Sequence, residues 1–99
     1  MSAQLRVTAG RDIGRLFALP PAGPLLVGRD YATRTRLKDP QVAMLHCQVE
    51  ARGEDFVVTD RGSVGGTFVN GSRVTEHVLR PGDVLRVGDT KLCFEMDRP

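Results

Sequence analysis

Apolar and polar positions alternate with a period of two along most of the chain. Leu5, Val7 and Ala9 alternate with Gln4, Arg6 and Thr8. Leu16 and Ala18 alternate with Phe17 and Leu19, which predicts a strand covered on both faces. Leu25, Leu26 and Val27 form a compact run that stops at Gly28. Phe56, Val57 and Val58 precede Asp60, and Val84-Leu85-Arg86-Val87 lies between Gly82 and Gly88. Near the end, Leu92, Phe94 and Met96 share one face of a run whose other face carries Lys91, Cys93 and Glu95. Successive side chains of a strand point to opposite faces, so this alternation predicts strands.

Turn chemistry separates the runs. Asn70-Gly71 is the strongest hairpin signal, because both residues tolerate the positive φ that a two-residue hairpin turn demands. Ala9-Gly10-Arg11-Asp12 is read as a hairpin joining the first two strands, and Pro81-Gly82-Asp83 and Gly88-Asp89 as further turns. Short strands with a turn about every ten residues predict an all-β sandwich or barrel.

Gln41 to Arg52 fits this pattern least well. It holds twelve residues without Gly or Pro. Val42, Leu45 and Val49 fit helical spacing. As a strand, Leu45, Cys47, Val49 and Ala51 face one way and His46, Gln48 and Glu50 the other. Periodicity alone does not arbitrate; the all-β surroundings favour the strand.

At 99 residues the chain has the length of one domain with one modest core. With 40% apolar residues, four Phe, one Tyr and no Trp, that core is aliphatic. Charged residues make up 26%, which argues against wholesale disorder. The net charge of 14 − 12 = +2 is too mild to demand a nucleic-acid or membrane partner. No apolar run approaches the roughly 18 residues of a membrane span, and the opening MSAQLRV is not a signal peptide. Cys47 and Cys93 are too few for a disulfide framework and read as small buried hydrophobes in a reducing compartment, the cytoplasm. With His46 and His77 they lack the spacing of a zinc site, so no metal is expected.

No catalytic or cofactor constellation emerges. There is no G-x-S-x-G elbow and no Walker A lysine, and Gly62, Gly65 and Gly66 precede a β-type run rather than opening a helix. His46 and His77 are the candidate bases near neutral pH, and a histidine without a nucleophile beside it is read as structural. The chain is therefore expected to be no enzyme and to hold no cofactor. Twelve of the fourteen basic residues are Arg, and Arg29, Arg34, Arg36 and Lys38 fall within ten positions. Arginine suits bidentate phosphate recognition; the same run also suits solvated loop residues. A nucleic-acid surface would interleave aromatics for stacking, and only Tyr31 lies near, which argues against that partner.

The order of motifs resembles the forkhead-associated (FHA) domain, a β-sandwich that binds phosphothreonine peptides through its loops. Leu26-Val27-Gly28-Arg29 is similar to the family's strand-end Gly-Arg. Val42 to His46 occupies the place of its Ser-x-x-His block. Asp60 to Gly71 is similar to its Ser-x-Asn-Gly-Thr block followed by Asn-Gly, and Leu79 to Gly88 to its closing Leu-x-x-Gly-Asp element. The resemblance runs from about Leu5 to Glu95, nearly the whole chain. It implies one FHA-like domain over 1–99, with its core at about 5–95: an all-β sandwich of two mostly antiparallel sheets and about 10–11 short strands.

By this resemblance Arg29 is the phosphate-binding arginine. The hydroxyl of Ser-x-x-His is replaced by Ala43 and the polar position after it by Met44. In the second block Val64 stands where Thr is frequent and Gly65 where the family has its peptide-gripping Asn. Gly28, His46, Ser63, Gly66, Thr67, Asn70 and Gly71 match as loop-structural positions, with His46 bracing the binding loops. A hydrogen bond to a charged group contributes about 1.5–3 kcal/mol. Losing two, against about −8.2 kcal/mol for a micromolar ligand, removes ordinary phosphopeptide affinity unless Arg34, Arg36 or Arg61 supplies replacement donors. Ala43, Met44 and Val64 are apolar at loop positions expected to be exposed, and an exposed apolar patch favours protein contact. Three readings follow: an interaction module with a degenerate phosphothreonine pocket, a working phosphothreonine reader with substitute arginines, and a basic nucleic-acid-binding β-domain. Nothing in the sequence sets the oligomeric state.

Overall fold

The computed structural model describes residues 2–97. Among these there are ten strands and no helix. They are β1 (Ser2–Ala9), β2 (Leu16–Ala18), β3 (Pro24–Val27), β4 (Cys47–Arg52), β5 (Asp55–Asp60), β6 (Thr67–Val69), β7 (Ser72–Val74), β8 (Glu76–Leu79), β9 (Val84–Val87) and β10 (Thr90–Asp97). One sheet has the order β2-β1-β10-β9-β6-β7 and the other β3-β4-β5-β8. Every pairing is antiparallel. Among the described residues no helix is long and apolar enough to cross a membrane.

The alternation in the sequence becomes the core. Leu5 pairs with Phe94 and Val7 with Leu92, and all four are buried on the inner face of the large sheet. Leu25 pairs with Val49, and Val49 with Val58, on the inner face of the small one. The two apolar faces close on each other, and removing this area from water is the main favourable term for the fold. The Phe56 and Phe94 rings, from opposite sheets, meet at 5.7 Å.

Two local expectations are corrected. β2 is covered on one face only: Phe17 and Leu19 are buried, whereas Leu16 and Ala18 are exposed. It is the edge of the large sheet, with nothing packed on its outer side. The strand expected over Gln41 to Arg52 begins only at Cys47. His46 and Cys47 are both buried, which strict alternation forbids. The backbone before Cys47 bonds elsewhere, Val42 N–H to Asp39 and His46 N–H to the Val27 carbonyl, so residues 41–46 form a folded loop.

The connections fall at two ends. The β6–β7 hairpin turns on Asn70 (φ 50°) and Gly71 (φ 85°), both positive as this turn type requires. Pro81-Gly82-Asp83 carries the chain from the small sheet to the large one. These two turns interlock, since the Asn70 amide donates to Asp83 and the Val84 N–H donates to the Asn70 side chain, both at 2.9 Å. At the opposite end of the strands lie the long β3–β4 loop (28–46), the β5–β6 loop (61–66), the β1–β2 loop and the Gly88-Asp89 turn. That end carries the candidate site.

Candidate binding site at the loop end

The site starts where β3 stops. A side chain at Gly28 would put its Cβ 2.1 Å from the Met44 carbonyl oxygen, so only glycine lets the two loop segments meet. They then join by backbone bonds from Arg29 N–H to Ala43 (3.2 Å) and Asp30 N–H to Met44 (3.1 Å). Behind them, Thr33 and Thr35 are buried. The Thr35 hydroxyl accepts from Gly28 N–H (3.0 Å), and the Thr33 hydroxyl donates to the Asp30 carbonyl (2.7 Å). Loop residues that cannot pair in a sheet thus find partners in side-chain hydroxyls.

Arg29 projects from this platform. It is exposed, and its Nε donates to the Val42 carbonyl, which fixes the direction of the guanidinium. It takes part in none of the ion pairs among the described residues. A guanidinium oriented by one bond and otherwise unpaired is suited to a carboxylate or phosphate.

His46 ties the second segment to the third. Its Nδ1 accepts from Ala43 N–H at 3.0 Å, and its Nε2 lies 2.8 Å from the Gly66 carbonyl. A backbone N–H can only donate, so Nδ1 is bare and Nε2–H donates to Gly66. Both ring nitrogens are occupied, which leaves no free base. Asp60 organises the β5–β6 loop by accepting from the Ser63 and Thr67 hydroxyls (2.5 and 2.7 Å) and from Gly62 and Ser63 N–H. Burial opposes its ionisation, but those bonds outweigh it and hold the carboxyl below its ordinary range. Asp39 works likewise. It accepts from Gln41 N–H, Asp89 N–H and the Thr90 hydroxyl, which join the β3–β4 loop to the β9–β10 turn and hold its carboxyl low despite burial. Asp12 joins the β1–β2 loop to Lys38 N–H at 2.8 Å.

The structure brings Arg29, Ala43, Met44 and Gly66 together through these bonds, and Gly65 lies across from Gln41. At this end of the sandwich the loop tips are bare: Met44 is 50% exposed and Val64 97%. Gly28, His46, Ser63, Gly66 and Thr67 form the frame beneath. Asn70 and Gly71 do not belong to this end. β6 pairs Thr67 with Val87 and Val69 with Leu85, which sets the Asn70 turn at the far end of the strand.

The three substitute donors part company. Arg61 sits at the loop end, its side chain donating to Gln48 at 2.5 Å and its N–H to the His46 carbonyl. Arg34 and Arg36 instead line a groove with Arg15, Leu16, Phe17, Ala18 and Leu25, none of them a rim residue. Thr33, Thr35 and Arg73 went unmarked in the sequence. The signal for the threonines is the alternation Thr33-Arg34-Thr35-Arg36-Leu37-Lys38-Asp39, whose odd positions are all buried. Arg73 lies over Gly66, close enough that a Cβ there would fall 2.8 Å from its Nε. It reaches the loop end from β7, which no local pattern reveals.

The FHA domain model matches residues 25–88. The chain belongs to the FHA family. Glycogen accumulation regulator GarA of Mycobacterium tuberculosis is 34% identical over 93 residues, 94% of this chain and 57% of GarA. Human angiogenic factor with G patch and FHA domains 1 is 30% identical over 96 residues, 86% of this chain and 13% of that protein. The chain therefore spans less than two thirds of the length of these relatives. A structure reported under phosphothreonine-dependent FHA domain interactions superposes with a TM-score of 0.91 at 29% identity, covering 100% of both chains. The FhaA FHA domain, solved in complex with the intracellular domain of another protein, gives 0.86 at 30% identity over 95% of this chain and 100% of its own. Within this FHA domain, the described residues gather no three His, Cys, Asp or Glu side chains that could hold a metal. Complete burial pushes the Cys47 thiol up to about 12, so no thiolate nucleophile is available there.

Proposed function

We propose that this chain is one non-catalytic FHA interaction module, working in a reducing cytoplasm, whose phosphothreonine pocket is degenerate. Its protein partner is held largely without the phosphate. The observation that supports this most is the composition of the rim. Arg29 is oriented and unpaired, but Ala43, Met44, Val64 and Gly65 at the same loop end carry no side-chain donor. Met44 and Val64 offer the partner apolar surface instead, and methionine adapts to irregular contours. A second reading, a working phosphothreonine reader, is favoured by the position of Arg61 at the same end and by the neighbour reported as phosphothreonine-dependent.

Calorimetric titration with a threonine-peptide library in matched phosphorylated and unphosphorylated form tests the proposal. The two forms are expected to bind within tenfold of each other, about 1.4 kcal/mol. A larger preference for the phosphorylated form, abolished by Arg29→Ala, establishes the second reading instead.

A further inference from the structure

Away from the loop end, a groove of about 630 Å³ runs along the side of the sandwich between β2 and β3. Its floor is apolar, formed by Leu16, Phe17, Ala18 and Leu25, and its rim is basic, formed by Arg15, Arg34 and Arg36. Arg15 is neutralised by Asp12 at 2.9 Å. Arg34 and Arg36 are exposed and enter no ion pair among the described residues. Arg36 is held up by the Tyr31 ring, its guanidinium 5.1 Å from the centroid.

The wall of the groove is an open sheet edge. β2 is the last strand of the large sheet. Leu19 N–H donates to Ala3 and Val7 N–H to Arg15, so residues 15, 17 and 19 spend their backbone groups on β1. In an antiparallel ladder the intervening residues point the other way. The N–H and C=O of Leu16 and Ala18 therefore face the groove. The β3 edge is occupied, since Thr35 bonds at Gly28 and approaches the Leu26 carbonyl. An unpaired edge is normally blunted by shortness, by a blocking charge or proline, or by a covering segment, and β2, although only three residues long, has no such charge or proline within it. β2 carries Leu-Phe-Ala, with Leu16 50% exposed.

We propose that this groove binds an extended acidic segment of a partner protein. The segment pairs with Leu16 and Ala18 as an added strand, sets its carboxylates on Arg34 and Arg36, and lays its apolar residues on the exposed Leu16 and Ala18 side chains. Backbone pairing supplies affinity and the arginines select charge. The site is distinct from the Arg29 rim and stands whatever that rim recognises.

The test titrates a short peptide alternating glutamate and valine into the isotopically labelled domain. Amide shifts centred on Leu16 and Ala18 are expected, with binding that weakens as salt rises. Joint Arg34→Glu and Arg36→Glu substitution is expected to weaken it at least tenfold, while Arg80→Glu, a charge reversal at the opposite end, leaves it unchanged. Ala18→Pro removes one outward N–H without touching the β1 ladder and is expected to weaken binding with the fold intact by NMR. Shifts centred on the Arg29 rim, equal binding of a control peptide in which lysine replaces each glutamate, or indifference to the Arg34 and Arg36 reversal overturns the proposal. So does self-association of the peptide-free domain through β2, which would assign the groove to a second copy of the chain.

Discussion

The frame and the rim of the loop end are built from the same loops but follow opposite rules. In the frame every polar group has an internal partner: His46 between Ala43 and Gly66, Asp60 beneath Ser63 and Thr67, Asp39 between two turns, Thr33 and Thr35 under Gly28. In the rim, Arg29, Met44 and Val64 are exposed, and only Arg29 has a side-chain bond. The frame thus determines where the loops stand, and the rim what they can hold. A chain can lose its ligand-binding donors without losing the loop architecture, because the rim residues join the frame through their backbone groups and not through the side chains that would touch a ligand.

The sharpest way to break that separation is at His46. His46→Ala leaves the Ala43 N–H and the Gly66 carbonyl without partners and opens a hole where a buried ring stood. Each orphaned group costs about 1–3 kcal/mol, so a loss of about 4 kcal/mol is expected in urea unfolding. Loop amides from residues 41–46 and 61–66 should lose protection from exchange together.

Gly28→Ala comes next. Its Cβ would fall 2.1 Å from a backbone oxygen rather than from a flexible side chain, so the two segments must part. A loss of about 3 kcal/mol is expected, read as a fall of roughly 12–24 °C in Tm by calorimetry. An unchanged Tm would mean that the loops are not locked by this approach.

The two aspartates make the frame sensitive to acid. Both carboxyls ionise at lower pH in the folded chain than in the unfolded one. Their contribution is complete above the ordinary value of 3.8 and is lost as pH falls below it through the lowered folded values. Unfolding free energy should therefore drop below about pH 4. Asp60→Asn should cost about 2 kcal/mol at neutral pH and flatten that acid limb.

How much of this was legible in the chain differs between the two sets as well. Gly28, the Asn70-Gly71 hairpin and the alternating core runs announce themselves locally, because glycine freedom and period-two burial are properties of neighbouring residues. Residues 41–46 do not. Their pattern fits a helix or a strand, and the conformation is settled by bonds to Arg29, Asp30 and Val27, which lie more than a dozen positions away. Arg34 and Arg36 are as close in sequence to Arg29 as any candidate donor. The buried Thr33, Thr35 and Leu37 turn them outward to the sheet edge, and that depends on which side of the loop finds a core. Arg73 reaches Gly66 only because β7 pairs with β6. Motif order identifies the scaffold, whereas the direction of each arginine is a property of the assembled sandwich.

The smallest expected effect on stability is the most informative for recognition. If frame and rim are separable, donors can be returned to the rim without disturbing the frame. Gly65 has no positive φ, and a Cβ there meets only the Gln41 carbonyl at 3.9 Å, so Gly65→Asn fits without strain. Val64→Thr changes a side chain that is 97% exposed. Ala43→Ser adds one hydroxyl beside Arg29 and keeps the backbone N–H that His46 uses. Each change should move unfolding free energy by no more than about 0.5 kcal/mol. Each restored bond to a phosphate contributes about 1.5–3 kcal/mol, so the triple variant should prefer phosphorylated over unphosphorylated threonine peptide by at least tenfold more than the natural chain does. That gain should vanish when Arg29→Ala is added, because neutral donors cannot hold a phosphate without the guanidinium. A triple variant that folds normally and shows no gain would mean that Arg29 does not face the rim. The degenerate pocket would then be no pocket at all, and partner binding would rest on Met44 and Val64 alone.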